Sequence, residues 1–218
     1  MRFLLTLRLL AAATFFMSSV EATASEEGAT SVEAAAQDAV LAGGCFWCLE
    51  SDLEHLPGVL SAESGYTGGT VARPTYQQVS SETTGHQEAV RVRFDPAKIS
   101  YARLLQSYWR NVDPLDGGGQ FCDRGDSYRP VIFTQGERQQ DQALASKAAA
   151  AAELGVPETA IKVEIKPLTT FWKAEGYHQD YAMRSKTKYT YYRWACGRDR
   201  KLDQVWGAKA RSGAPWAD

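Results

Sequence analysis

Ala39-Val40-Leu41-Ala42-Gly43-Gly44-Cys45-Phe46-Trp47-Cys48 is the stretch on which the fold turns. Its four apolar residues read as a buried strand and the glycine pair as a turn. Cys45 to Leu56 then reads as a helix stopped by Pro57-Gly58. Two thiols three residues apart therefore lie at a strand-to-helix junction. Unpaired backbone N–H groups and the dipole at a helix start favour thiolate over thiol, and the thiolate is the nucleophile. Cys45 is the first candidate for chemistry.

Working outward, Val59 to Gly65 reads as a strand, and Glu88-Ala-Val-Arg-Val-Arg-Phe94 alternates as a strand with one buried face before Asp95-Pro96. Ile99 to Arg110 has the spacing of an amphipathic helix. Asn111 to Tyr128 is a loop with Gly117-Gly118-Gly119 at its centre, and loops of that length are often functional. Arg129 to Phe133 predicts a strand, Gln135 to Leu154 a long Ala-rich helix, and Ile161 to Ile165 a further strand before Pro167. These βαβ-like passes predict a single-domain α/β sandwich. No internal repeat, second domain boundary or heptad pattern is present.

The chain has 218 residues, 44% of them hydrophobic, enough for one substantial core. A formal charge of −2 carries neither the basic excess that would argue for nucleic acid nor an acidic tail. Arg2 and Arg8 flank or precede the apolar run Leu9 to Met17, and Ala22-Thr23-Ala24 has the small-x-small pattern of a signal-peptidase site. The apolar run is too short to span a bilayer. Residues 1–24 are therefore predicted to be a signal peptide, 25–37 a flexible lead-in, and 38–218 the folded domain of an exported, periplasmic protein.

Export bears on the four cysteines, Cys45, Cys48, Cys122 and Cys196, which allow two disulfides in three connectivities. A structural disulfide between Cys45 and Cys48 closes too small a loop to stabilise the fold much. All four thiols together offer a zinc set, but Cys122 and Cys196 lack the close spacing such sites use. A Cys-x-x-Cys after a strand also suits a general thiol-disulfide oxidoreductase, although Phe46-Trp47 is an unusual pair between such thiols.

An ordered series of motifs covers essentially the whole predicted domain. It runs through Gly44-Cys45-Phe46-Trp47, Gly65-Tyr66-Thr67-Gly68-Gly69, Pro74-Thr75-Tyr76, Gly85-His86-Gln87-Glu88-Ala89-Val90 and Phe94-Asp95-Pro96. It continues through Asn111-Val112-Asp113-Pro114, Asp123-Arg124-Gly125, Tyr128-Arg129 and Glu175-Gly176-Tyr177-His178-Gln179-Asp180-Tyr181. In this series the chain resembles the peptide methionine sulfoxide reductases of the A type. The resemblance implies a two-layer α/β sandwich with a ferredoxin-like core and long loops. It also implies reduction of the S epimer of methionine sulfoxide, free or in proteins, by thiol chemistry with no metal or organic cofactor.

On that resemblance Cys45 is the nucleophile, Glu88 the acid, and Tyr76 and Tyr128 the phenols that hold the sulfoxide oxygen. The chemistry asks for such groups, because a sulfoxide oxygen leaves poorly unless it is protonated. Phe46 and Trp47 would form an apolar wall for the substrate methyl group, Asp123 a carboxylate near its backbone amine, and His178 part of the lining. His86 is expected to make structural hydrogen bonds. A strand-edge Glu or a loop Asp more often serves a solvated end or a turn, so the roles of Glu88 and Asp123 rest mainly on the family match.

Cys45 would be left as a sulfenic acid, which a second thiol condenses to a disulfide. Many family members have Gly where this chain has Cys48 and carry recycling cysteines in a Gly-rich tail that this chain lacks. Cys48, about one helical turn from Cys45, is the expected resolving thiol, with Cys196 as the alternative. Cys122 and Cys196 are then expected to form a structural disulfide, whose long loop is worth roughly 4 kcal/mol in the entropy model. The expected partners are oxidised proteins or free methionine sulfoxide and a thioredoxin-like dithiol reductant, with the protein itself a monomer.

Overall fold

The computed structural model describes residues 36–213 and Trp216. The predicted signal peptide, and the lead-in up to residue 35, lie outside the described residues.

The opening stretch folds as its pattern dictates. Strand β1 (Gln37–Ala42) is fully buried over its last four residues, and helix α1 (Phe46–Glu54) starts immediately after Cys45, its N-cap. The chain returns as β2 (Val59–Thr67), crosses the short helix α2 (Tyr76–Ser80) and re-enters the sheet as β3 (Gln87–Phe94). Thr75 and Gln78 form a capping box that fixes the start of α2. Ser100 caps α3 (Tyr101–Trp109), whose buried side is Tyr101, Leu104, Leu105 and Tyr108.

The long loop is not structureless. It carries a tiny hairpin, β4 (Gly119–Gln120) and β5 (Asp123–Arg124), and one 3-10 turn, Asp126–Tyr128. Buried Gln120 pins it down: its Oε1 accepts from Asp113 N–H at 2.8 Å and its Nε2 donates to Asp113 O at 2.8 Å. Strand β6 (Val131–Thr134), helix α4 (Gly136–Leu154), β7 (Glu164–Pro167) and β8 (Trp172–Lys173) follow. The chain then runs through α5 (Tyr181–Arg184), α6 (Lys186–Cys196) and α7 (Arg198–Trp206).

The main sheet has the order β7-β6-β1-β3-β2-β8. Its inner four strands, taken in the order β6, β1, β3, β2, are all antiparallel neighbours, which is the ferredoxin-like βαββαβ arrangement. Helix α4 links β6 to the parallel β7. Alternation decides which face is which. Ala39, Leu41, Val90, Val92 and Ile132 join the core with the helices, whereas Val40, Ala42, Ala89, Val131 and Phe133 face Leu168 and Phe171.

Two elements differ from the sequence expectation. The strand expected at Ile161 begins only at Glu164, because Glu158–Ala160 forms a 3-10 turn and Lys162 N–H bonds to Pro114 O in the loop rather than to β6. Ile161 and Val163 are buried nonetheless, which is the apolar signal that suggested a strand. The expected helix from Cys45 to Leu56 is shorter at both ends, since Cys45 and His55 are caps.

Trp109 joins the two helices of the core layer: it is fully buried and its Nε1 donates to Ser146 Oγ on α4 at 3.0 Å. Trp109→Ala should cost about 3–5 kcal/mol, read as a lower urea midpoint at unchanged slope. A loss below 1 kcal/mol would show that α3 and α4 repack without it.

Candidate active site

Cys45 stands where β1 ends, two glycines turn the chain and α1 begins. Gly44 has φ +82°, and a Cβ there would lie 2.6 Å from the Gln120 side chain, so the turn needs a glycine on both counts. Glu88, on the central strand β3, accepts a hydrogen bond from Phe46 N–H through Oε2 at 3.0 Å. A carboxyl group thus caps the first turn of the helix that presents the thiol.

Glu88 is only 3% exposed, not the solvated end of a strand. Burial pushes its pKa up to about 8, and the Phe46 N–H opposes that rise. It is therefore mostly a neutral acid at pH 7. With it, Cys45, Phe46, Trp47, Tyr76, Asp123, Tyr128 and Tyr192 line one pocket of about 80 Å³. Seven of these eight positions are among those singled out from sequence; Tyr192 is the addition.

The two phenols come from opposite sides. Tyr76 opens α2, where its N–H donates to Glu175 Oε1 at 2.9 Å, and Tyr66 Oη holds the same carboxylate at 2.8 Å. Tyr128 closes the 3-10 turn, anchored by Glu82, which accepts from Ser127 N–H at 3.0 Å and from its hydroxyl at 2.6 Å. Gly125, at φ +126°, precedes this turn, and a Cβ there would lie 2.6 Å from Glu82. Burial, together with nearby Glu88, raises the pKa of both phenols, so each keeps its proton. Both are hydrogen-bond donors at neutral pH.

Trp47 is a wall held from behind. Its indole stacks on Tyr181 at 3.8 Å between centroids, meets Tyr192 edge-on at 6.0 Å, and donates from Nε1 to His178 Nδ1 at 3.1 Å. His178 is buried, packed against Phe46 and Tyr76, and outside the pocket lining. Burial lowers its pKa, which keeps the ring neutral and able to accept from Trp47. His86 holds a loop: Gly69 N–H donates to its Nδ1 at 3.1 Å, and Nε2 lies 2.8 Å from Val71 O.

Asp123 reaches the pocket from β5, and its Oδ2 accepts from Tyr192 Oη at 2.6 Å. Tyr192 belongs to α6, where Tyr189, Tyr192 and Cys196 recur at helical spacing. That face was legible in principle, since the aromatic run Tyr189 to Trp194 has helical periodicity.

The four cysteines sort into two pairs. Cys122 and Cys196 form a disulfide, with Cα atoms 5.0 Å apart, that ties the β4–β5 hairpin to the end of α6. Cys45 and Cys48 are free and buried, so the four thiols make no single metal-binding set. Ionisation of the free pair departs from expectation. Burial pushes the Cys45 thiol well up, despite its place at a helix start, whereas Cys48 is pushed down, first by the hydrogen bond from Cys45 and then by Arg198 and Arg193. Desolvation outweighs the helix dipole at Cys45. Cys48 is the more acidic member of the pair.

The sequence pattern of the family described as "Peptide methionine sulfoxide reductase" matches residues 37–210. The chain belongs to this family. A peptide methionine sulfoxide reductase MsrA 2 of Caulobacter vibrioides is 54% identical over 184 residues, covering 83% of this chain and 92% of that one. An MsrA of Bacillus licheniformis is 47% identical, covering 78% and 94%. Among solved structures, methionine sulfoxide reductase A of Corynebacterium diphtheriae superposes with a TM-score of 0.66 at 29% identity, covering 70% of this chain and 76% of that one. This reductase is thus an oxidoreductase of the A type, and a thiol pocket with a neutral carboxyl suits such chemistry.

The buried carboxyl has a consequence for stability. Its folded pKa lies above the unfolded value, so its contribution is complete below the ordinary carboxylate range and is lost as pH rises through about 8. Glu88→Gln should therefore be more stable relative to wild type at pH 9 than at pH 5, in urea unfolding. An identical difference at both pH values would mean that the carboxyl is ionised in the fold.

Proposed function

We propose that the protein reduces the S epimer of methionine sulfoxide, in oxidised proteins or free, with Cys45 as nucleophile. The observation that carries the reading is the convergence of Cys45, the neutral acid Glu88 and the two phenols on one small pocket. Phe46 and Trp47 receive the thioether methyl group, and Asp123 with Tyr192 faces the substrate backbone.

The reaction follows from these groups. The sulfoxide oxygen accepts hydrogen bonds from Tyr76 and Tyr128, and Glu88 gives it a proton as negative charge grows there. Cys45 yields its proton within the pair it forms with Cys48 and attacks the sulfoxide sulfur. The oxygen ends on Cys45 as a sulfenic acid, and methionine leaves. Cys48 then attacks the Cys45 sulfur, forming a disulfide and releasing water. A thioredoxin-like dithiol reduces that disulfide and restores the pair.

Cys45→Ser should abolish reduction even in excess dithiothreitol, because an alcohol near its normal pKa cannot replace the thiolate. Turnover near the wild-type rate would move the nucleophile elsewhere. Glu88→Gln should slow methionine release in a single turnover by ~10²–10⁴-fold with binding largely intact. Loss of the Glu88 proton should make the wild-type rate of this step fall as pH passes through about 8. A rate that stays level to pH 10 would remove Glu88 as the acid.

Export and periplasmic repair are part of the proposal, and rest on the signal-like residues 1–24 and on a disulfide that suits an oxidising compartment. Mass spectrometry of the protein recovered outside the cytoplasm should show Ser25 as its first residue. Retention of Met1 would sink this part.

A further inference from the structure

The β4–β5 hairpin supplies one wall of the pocket, and its tip is held by a bond that sulfoxide reduction does not consume. Only Phe121 and Cys122 separate Gln120 of β4 from Asp123 of β5. Phe121 has φ +57°, a left-handed conformation that is costly for a bulky residue and persists only where the surroundings impose it. The next residue, Cys122, is bonded to Cys196 at the end of α6. Cys196 follows Tyr192 by four residues, one turn along the same side of that helix. The bond thus joins the residue before Asp123 to the turn after Tyr192.

Asp123 and Tyr192 both line the pocket, and they meet directly: Tyr192 Oη donates to Asp123 Oδ2 at 2.6 Å. Cys196 Sγ lies 3.9 Å from the same oxygen. While the disulfide stands, that sulfur has no proton to offer, and Tyr192 holds Oδ2 without competition from it. Once the bond is cleaved, Cys196 carries an S–H beside the oxygen that Tyr192 uses, and the hairpin tip loses its covalent tie to α6. The bond is also open to attack. Cys122 is exposed, and its N–H donates to Cys196 Sγ at 3.2 Å, which favours Cys196 as the departing thiolate.

We propose that Cys122 and Cys196 are positioning residues, and that their disulfide is a redox-sensitive brace which sets the affinity of the pocket for the substrate backbone by holding Asp123 against Tyr192. This inference rests on the reading that Asp123 and Tyr192 face that backbone. A dithiol protein, the class of reductant that recycles Cys45, supplies the electrons that release the brace. Its thiolate bonds to the Cys122 sulfur, the Cys122–Cys196 bond breaks, and Cys196 leaves with the electron pair and takes a proton. The second thiol of the reductant then displaces Cys122, which leaves as a thiol, and the reductant is left as a disulfide. Sulfoxide chemistry continues in either state, because Glu88 is tied to α1, Tyr76 to Glu175 and the Tyr128 turn to Glu82 by contacts that do not involve this bond.

The test measures release of the reduced sulfide in a single turnover of full-length protein, against sulfoxide concentration, for two substrates. One is the S epimer of N-acetylmethionine sulfoxide N-methylamide, which has backbone on both sides, and the other is dimethyl sulfoxide, which has the reacting group alone. Protein with the disulfide intact is compared with protein reduced by excess dithiothreitol and desalted, and with the double variant Cys122→Ser, Cys196→Ser. Alkylation and peptide mapping count the state of each bond. Cleavage should raise the half-saturating concentration of the blocked amino acid about tenfold, the worth of a hydrogen bond to a charged group, and leave its maximal rate within about twofold. Half-saturation by dimethyl sulfoxide should not move, whereas a general loosening of the fold would move both substrates alike. An unchanged value for the blocked amino acid, or an equal rise for both substrates, would overturn the proposal. The reduced wild-type protein decides it should the double variant fail to fold. Asp123→Asn with the disulfide intact separates the two layers. If that variant raises half-saturation for the blocked amino acid and cleavage does not, the brace is refuted and the backbone reading stands. If neither does, both fall.

Discussion

The hydrogen bond from Phe46 N–H to Glu88 joins the two halves of the chemistry. It ties the first turn of the helix that presents the thiol to the central strand that presents the acid. The bond also sets up a conflict within one group. A helix N-terminus and a backbone donor favour the carboxylate, whereas a site 3% exposed favours the neutral acid. Burial wins, with the pKa carried to about 8. A carboxyl more open to water would stay ionised at neutral pH and have no proton to give. One capped instead by several donors would do the same.

The same contest is settled twice more around the pocket. At Cys45 burial pushes the thiol well up despite its place at a helix start. At Cys48 the hydrogen bond from Cys45, aided by Arg198 and Arg193, outweighs burial and pushes the thiol down. The outcome depends on elements far apart in sequence: the first turn of α1, the middle of β3, and the C-terminal helices α6 and α7. The Cys122–Cys196 disulfide and the Tyr192–Asp123 hydrogen bond fasten those helices to the hairpin loop. Arg198 fastens them to the Gly43 carbonyl at the other end of the same turn.

What was legible in the sequence follows the range of the interactions. The strand-turn-helix around Cys45, the alternating β3 and the Ala-rich α4 are written in local periodicity and turn chemistry, and they form where expected. The strand expected at Ile161 shifts because its backbone bonds to Pro114 of the loop, a long-range pairing that periodicity does not carry. Cys45 is legible from its place at the strand-to-helix junction, whereas Glu88, Tyr76, Tyr128 and Asp123 come from the family's motifs rather than from spacing. Tyr192, Arg193 and Arg198 lie beyond those motifs. Their signal is a helical repeat of aromatic and basic residues, which by itself reads as an amphipathic surface helix. The surroundings of the thiols are half legible for a related reason: a helix start is visible in sequence, and the burial that opposes it is not.

The four cysteines divide into one bonded pair and one free pair, and the two pairs sit in different surroundings. A disulfide at Cys122–Cys196 sits partly exposed at a loop and a helix end, where it closes 74 residues of chain and fixes Asp123 beside Tyr192. The pair at Cys45 and Cys48 is buried behind Trp47, Tyr181 and Tyr192. Thiol exchange needs direct access of one sulfur to another. The aromatic wall therefore limits access of bulky disulfides to the free pair, and the pocket that Cys45 lines has a volume of about 80 Å³. The elements packed on Trp47 are α5 and α6, through Tyr181 and Tyr192. Their packing is where the demands of selectivity and of turnover meet.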